Sequence, residues 1–246
     1  MRPLKDSPAK RRILSLLRER EIVSGETLGE ELGVSRTAVW KHIEELKRLE
    51  YGISSTPSGY KLVHDPRIPY PWELEVEALY YRVTKSTMDE ARKLAEKGVP
   101  SGLFVIAGEQ RSGKGRRGRS WHSPPGGLYF SLILRPEIPM DELWKVEESS
   151  TRAIVGFLGT LGIEAKASGS GVFVNNKKIG GILTEAYGEL EAVNFAILGV
   201  GLNVNNPAPP GGISLSAELG RELGLLDVTE GLFGTLLSEL SWAVRG

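Results

Sequence analysis

The sequence predicts an α+β protein in two parts, a small three-helix module with a two-stranded appendage and then a larger domain on a mixed, helix-backed sheet. Three observations predict it. Apolar residues in the first fifty positions recur at helical spacing and are broken by a glycine turn. A proline-rich stretch follows. Beyond it most apolar runs are of strand length and joined by turns, with helical patterns in two or three places only, which is α+β rather than alternating α/β.

In the first part, Lys10 to Arg20 sets Ile13, Leu14, Leu16 and Leu17 on one helical face. Ser24 to Thr27 introduces a second helix with Leu28 and Leu32 four residues apart, and Gly33 stands where a left-handed C-terminal turn is expected. Ser35 is placed to N-cap a third helix running through Leu49, with Val39, Ile43 and Leu46 inward. Ile53 to Val63 reads as two short strands about Pro57-Ser58-Gly59. The whole resembles a winged helix-turn-helix, with the hairpin as wing. The third helix would enter a major groove by its N-terminal half, so Ser35, Arg36, Thr37, Trp40 and Lys41, with Lys61 on the wing, are the expected DNA contacts. Lys and Arg outnumber Asp and Glu by three in residues 1–64, a local rather than a global positive field. A helical protein-interaction module is the plainer alternative, and the cationic outward face speaks against it.

Asp65 to Trp72 holds three prolines in eight residues. Proline fixes φ and biases the preceding residue to extended geometry, so a stiff linker is expected. The expected boundaries are 1–64 for the DNA-binding domain, 65–76 for the linker and 77–246 for the catalytic domain. In the latter, strands are expected at 79–83, 103–107, 128–134, 172–174, 179–186 and 193–200. Helices are expected at 87–97, 149–161 and 229–244.

Composition narrows the function classes. The formal net charge is zero, so nucleic acid would be met by a local patch and not by the field of the whole chain. No cysteine is present, which excludes a disulfide scaffold and thiolate catalysis. His42, His64 and His122 show no ligand spacing, so no metal site is expected. No apolar run approaches the roughly 20 residues of a membrane span, and the charged N-terminus lacks a signal-peptide core. A cytoplasmic protein with no membrane partner is expected.

The most informative segment is Gly113-Lys114-Gly115-Arg116-Arg117-Gly118-Arg119-Ser120-Trp121, in which three glycines and four cationic side chains fall within seven residues. Glycine lets backbone N–H groups approach anionic oxygens, and arginine adds a planar fork of donors. Such a loop is suited to close over an anion. Gly113-x-Gly115-x-x-Gly118 fits a dinucleotide fingerprint, but a turn-rich segment and a strand follow where a helix is required. Gly108 to Lys114 nearly makes a P-loop, but Gly115 replaces the magnesium-binding Ser or Thr.

Glu109-Gln110 followed by this loop resembles the signature of biotin protein ligases, usually written G-R-G-R-R-G-R-x-W, with Lys114 in place of an arginine. Three more segments resemble that family in order: Ser86 to Ala91, Lys177 to Glu185 and Gly199 to Asn205. The resemblance covers about Tyr80 to Ser216 and implies the mixed-sheet biotin/lipoate ligase fold. It implies ATP-dependent formation of biotinyl-5′-adenylate, with Mg²⁺ brought by the substrate, and transfer of biotin to a lysine of a biotin carboxyl carrier protein. It also implies a biotin-responsive repressor that binds operator DNA as a homodimer. By resemblance, Lys178 and Arg116 are catalytic; Ser86, Thr87, Gln110, Gly113, Lys114 and Gly181 bind biotin; Arg117, Arg119, Trp121 and Asn203 bind nucleotide. Trp121 could equally be plain core.

Two departures stand out. Where the family reads Lys-Trp-Pro-Asn-Asp, this chain reads Ala167-Ser168-Gly169-Ser170-Gly171, without carboxylate, amide or aromatic, and a flexible loop is expected there. The sequence also shows no segment for the small barrel-like C-terminal domain of many members, which is expected to be absent. These departures keep open a second reading, a ligand-sensing DNA-binding regulator that holds biotin or its adenylate without ligating it. A lipoate or octanoyl transferase is disfavoured by the Gly/Arg loop.

Overall fold

The computed structural model describes residues 2–189 and 192–244. The chain divides into two compact units, Asp6–Ile68 and Met1–Lys5 with Pro69–Gly246.

In the first unit, α1 (Pro8–Glu19), α2 (Gly25–Leu32) and α3 (Arg36–Arg48) begin at Ser7, Ser24 and Ser35, whose hydroxyls accept from the N–H of Lys10, Thr27 and Ala38. Gly33 ends α2 in the left-handed conformation at φ 63°, where a side chain would be strained. Ile13, Leu14, Leu16, Leu28, Val39, Ile43 and Leu46 are fully buried, so the helical periodicity of the sequence is the core of this unit. The wing is an antiparallel pair, β1 (Gly52–Thr56) and β2 (Gly59–His64). Next to its turn it is tied down by reciprocal main-chain bonds between Val23 and Tyr60. A Cβ on Gly59 would lie 2.2 Å from the carbonyl oxygen of Val23, so only glycine permits that approach.

The second unit is a seven-stranded mixed sheet. In chain order its strands are β3 (Ala78–Tyr81), β4 (Phe104–Ala107), β5 (Leu128–Leu134), β6 (Lys166–Ser168), β7 (Gly171–Val174), β8 (Lys177–Glu189) and β9 (Ala192–Leu202). The spatial order is β3-β4-β5-β9-β8-β7-β6, with β3 and β4 parallel and every other pair antiparallel. One face packs on α4 (Thr87–Glu96) through Met88, Ala91 and Ala95 against Val105, Ile133 and Ile197. Alternate strand residues Phe104 and Phe130 point the other way and meet Phe233 of the helix Leu225–Glu239, Phe104 stacked and Phe130 edge-on. That helix is α7; α5 (Trp144–Thr160) packs along it, while α6 (Leu215–Leu219) and α8 (Ser241–Val244) are short.

Several features differ from the sequence expectation, among them the helix expected at 229–244, which runs as Leu225–Glu239 and Ser241–Val244. The Ala/Ser/Gly segment forms an ordered hairpin, β6 and β7, turned at Gly169 with φ 56°. Helix α5 starts five residues earlier than expected, because its first turn sets exposed Trp144 and charged Lys145, Glu147 and Glu148 around a single buried apolar residue, Val146, too polar a run for periodicity to mark. The hydroxyls of the buried Ser150 and Thr151 are satisfied on carbonyls one turn back, at 2.6 and 2.7 Å, so hydropathy does not reveal that face. Residues before α1 also join the second unit: Leu4 exchanges two main-chain hydrogen bonds with Tyr80 and so covers edge strand β3. The proline-rich stretch buries Tyr70, Trp72 and Leu74 in the second unit, with Pro71–Glu73 as a 3-10 turn.

Candidate active site

A cavity of about 450 Å³ lies over the ends of β8 and β9. Its floor is cleared by glycines. Gly181 pairs with Gly201 across the two strands and Leu183 with Gly199, so these positions share one face. A Cβ on Gly201 would lie 2.3 Å from Trp121 Nε1, and one on Gly181 2.8 Å from the same ring. A Cβ on Gly199 would lie 2.4 Å from Met88 Sδ. Trp121 therefore lies against a bare strip of backbone that any larger residue would fill.

Lys178 reaches this face through a local irregularity. The tight turn Asn175-Asn176 has both residues at positive φ (49° and 63°), a conformation asparagine tolerates, and starts β8 at Lys177. Pairing then shifts between Val172 and Phe173, so that Phe173 faces Lys178 and Val172 faces Gly180, leaving Ile179 extra. Without this bulge, Lys178 and Gly181 would point to opposite faces; with it they share the cavity side. Lys178 Nζ sits 5.1 Å from the Trp121 ring centroid. Burial, and secondarily the charge of Arg119, lowers its pKa below the ordinary lysine value.

The main chain of Lys178 is fixed by the loop after β9. Its N–H donates to the Gly211 carbonyl and its carbonyl accepts from Ile213 N–H, both at 3.0 Å. Asn203 Nδ2 donates to the Ile213 carbonyl at 3.2 Å, and Asn206 Nδ2 donates to Asn203 Oδ1 at 3.1 Å. Asn206 Oδ1 accepts from Val204 N–H. Both amides are buried, at 2% and 1% exposure. Pro209 to Gly212, held this way, forms a wall of the cavity.

At the other end, Thr87 N–H and Oγ1 donate to Gln110 Oε1 at 2.8 and 3.1 Å. Gln110 Nε2 donates to Ser123 Oγ, and Ser131 Oγ donates to Thr87 Oγ1 at 2.9 Å. Ser86, at the start of α4, is fully buried and its Oγ has no protein partner; Trp121 Nε1 is likewise unpaired. Two buried polar groups without partners beside a cavity leave hydrogen bonds for a ligand to complete.

The Gly/Arg loop closes the rim. A Cβ on Gly113 would lie 2.5 Å from the Trp121 carbonyl oxygen, so the loop pinches shut there. Lys114 pairs with Asp89 of α4 at 2.6 Å, and Arg116 with Glu147 of α5 at 3.8 Å. Arg119 Nε donates to the Arg116 carbonyl. Arg117 is exposed, at φ 56°, and does not line the cavity. No Asp or Glu lines it either, and among the described residues no cluster of three His, Cys, Asp or Glu could hold a metal ion. The donor set does not fit a protein-held magnesium ion, which prefers carboxylate oxygens.

The structure thus brings Thr87, Gln110, Lys114, Arg116, Arg119, Trp121, Lys178, Gly181 and Asn203 to one cavity. Ser86 and Gly113 lie behind its lining, and Arg117 stands outside. Sequence reasoning did not single out Ser123, Ser131, Asn206 or the Pro209–Gly212 wall. The glycines at 199 and 201, two apart on one strand, were the available sign of a cleared face. In the first unit Arg36, Thr37, Trp40 and Lys41 are exposed on α3, Trp40 at 52%. Ser35 is exposed but spends its hydroxyl on the α3 N-cap, and Lys61 pairs with Glu21 at 2.7 Å.

Comparison with known proteins places both units among known families. The profile of the Biotin/lipoate A/B protein ligase family matches residues 80–203, and that of an HTH domain matches residues 10–61. The chain is 38% identical over 198 residues to the bifunctional ligase/repressor BirA of Bacillus subtilis, covering 75% of this chain and 61% of that protein's length. It is 28% identical to the Escherichia coli protein of the same name, over 82% of this chain and 65% of that one. Among solved structures, the biotin protein ligase of Aquifex aeolicus in complex with biotin and ATP superposes with a TM-score of 0.59 at 25% identity, covering 67% of this chain and 70% of that one.

Proposed function

Since the chain belongs to the biotin/lipoate A/B protein ligase family and carries a helix-turn-helix domain, we propose that it is an ATP-dependent biotin protein ligase and a biotin-responsive repressor. The observation that carries this reading is a cationic, carboxylate-free cavity with Lys178 aimed over a glycine-cleared floor. In the first step a biotin carboxylate oxygen attacks the α-phosphorus of ATP, the bond to the β-phosphate oxygen breaks, and pyrophosphate leaves. Negative charge grows between carboxylate and phosphate, where Lys178 and Arg116 stabilise it and Arg119 helps hold the nucleotide. Low pKa costs Lys178 nothing here, because an incoming anion favours its charged form. In the second step a carrier-protein lysine amine attacks the acyl carbon, loses a proton and expels AMP.

Ser86 Oγ and the Thr87–Gln110 pair meet the polar ring of biotin in this reading, and Trp121 and Met88 cover its apolar part. Asn203 acts at the nucleotide end, and magnesium enters only as a counter-ion of the nucleotide. The α3 surface with Arg36, Trp40 and Lys41 reads an operator, and a homodimer would match a two-fold site. The setting that supplies ATP, carrier protein and operator together is the cytoplasm; among the described residues no helix is long and apolar enough to cross a membrane.

The altered segment at 167–171 favours the second reading, a regulator that binds the ligand without ligating it. Biotin-dependent ATP–pyrophosphate exchange separates the two. Exchange supports the ligase. Heat stabilisation by biotin with no exchange leaves the regulator.

A further inference from the structure

The cavity that would take the triphosphate has cations on its walls and no acid. Lys114, Arg116, Arg119 and Lys178 line it, and no carboxylate does. At the rim, Asp89 is engaged by Lys114 and Glu147 by Arg116. Gly171 sharpens the point. It shares the face of Lys178 and Gly181, and a Cβ there would lie 3.4 Å from Lys178 Cε. A carboxylate at this position would stand beside the lysine, and the chain has a hydrogen atom instead. Lys178 and Arg119 form no salt bridge with a carboxylate among the described residues, and burial together with the nearby charge of Arg119 disfavours the charged form of Lys178. A polyanion relieves that cost; a divalent cation adds to it.

We propose that this cavity binds ATP as the free tetra-anion at least as well as it binds the magnesium complex, side-chain cations taking the place of a protein-held divalent ion. Arginine forks and a lysine point charge neutralise phosphate oxygens directly, and no carboxylate in the lining is there to hold magnesium. The proposal concerns nucleotide binding and rests on the ATP reading above. An acid beside Lys178 would cancel a cation and so make a bound divalent ion more favourable.

The test is equilibrium dialysis of ATP against the full chain, once with EDTA and once with excess Mg²⁺, with Mn²⁺ paramagnetic resonance on the nucleotide-free protein. The Kd with EDTA is expected within about threefold of the Mg²⁺ value or tighter, and the free Mn²⁺ signal is expected to be undiminished. In Gly171→Asp, ATP binding with EDTA is expected to weaken about tenfold and to be regained with Mg²⁺. The added side chain meets first the far end of the Phe173 ring, which can move. ATP binding more than about tenfold tighter with Mg²⁺, or stoichiometric Mn²⁺ binding by the unaltered protein, overturns the proposal and leaves the ATP reading intact. ATP binding under neither condition overturns both.

Discussion

Replacing Gly201 by alanine tests whether the cleared floor of the cavity positions its chemistry. The new methyl would sit 2.3 Å from Trp121 Nε1 and 2.5 Å from Cε2, whereas ordinary contact begins at 3.4 Å. The indole must retreat by about 1 Å, since a strand paired on both sides cannot give way. Trp121 is also the ring beneath the Lys178 ammonium, so the lysine shifts with it. Overpacking of this kind costs about 1–3 kcal/mol of stability. A displacement of about 1 Å at the reacting groups costs on the order of 10²-fold in rate. In biotin-dependent ATP–pyrophosphate exchange, with thermal unfolding measured in parallel, Gly201→Ala is expected to lose most of its rate while remaining folded. Gly199→Ala serves as the comparison: its methyl crowds chiefly Met88, at Sδ and Cγ, on a flexible side chain that can repack, so a smaller loss is expected. A Gly201→Ala protein with unaltered rate and unaltered biotin affinity would refute the placement of Trp121 and Lys178 over this floor.

Further expectations follow from single contacts. Lys178→Met removes the charge over the reacting oxygens and should lower exchange by about 10²–10³-fold with the fold retained by circular dichroism. Because burial and then Arg119 lower the Lys178 pKa in the ligand-free protein, kcat/KM for ATP, which reports that state, should fall with rising pH earlier than an ordinary lysine dictates; Arg119→Gln should move that limb to higher pH. An unmoved limb would remove Lys178 from the titration. Asn206→Ala leaves Asn203 Oδ1 and Val204 N–H unsatisfied in a buried place, for a loss of about 1–3 kcal/mol in denaturant unfolding. The same change should lower kcat more than it raises KM for biotin, since the loop it clasps carries the main chain of Lys178 and not the biotin pocket. Lys41→Ala should reduce the salt slope of operator binding by about one and leave exchange unchanged, as read by fluorescence anisotropy across salt concentrations.

The first unit was legible almost residue by residue. Serine caps at 24 and 35, a glycine at 33 and apolar spacing of three and four are local signals, and the packing agrees with them. The strands of the second unit were legible as apolar runs, but their spatial order was not. Hydropathy cannot show that β9 enters between β5 and β8. The Ala167–Gly171 segment was misread as a flexible loop, because composition cannot see that β7 is waiting to pair with it. The bulge at Ile179 was invisible too, although it decides which way Lys178 points. The asparagines illustrate a different limit. An amide contacts a nucleotide or clasps a backbone with the same atoms, and only the observed partners of Asn203 show it engaged by Ile213 and Asn206.

The most direct test of the central claim is a chase experiment on the purified protein. It is incubated with biotin and ATP labelled at the α-phosphate, separated from free nucleotide, and then mixed with a biotin carboxyl carrier domain. The account predicts a labelled biotinyl adenylate that travels with the protein and disappears on mixing, with AMP released and one carrier lysine biotinylated. Retention of biotin with no labelled adenylate at any time would contradict it.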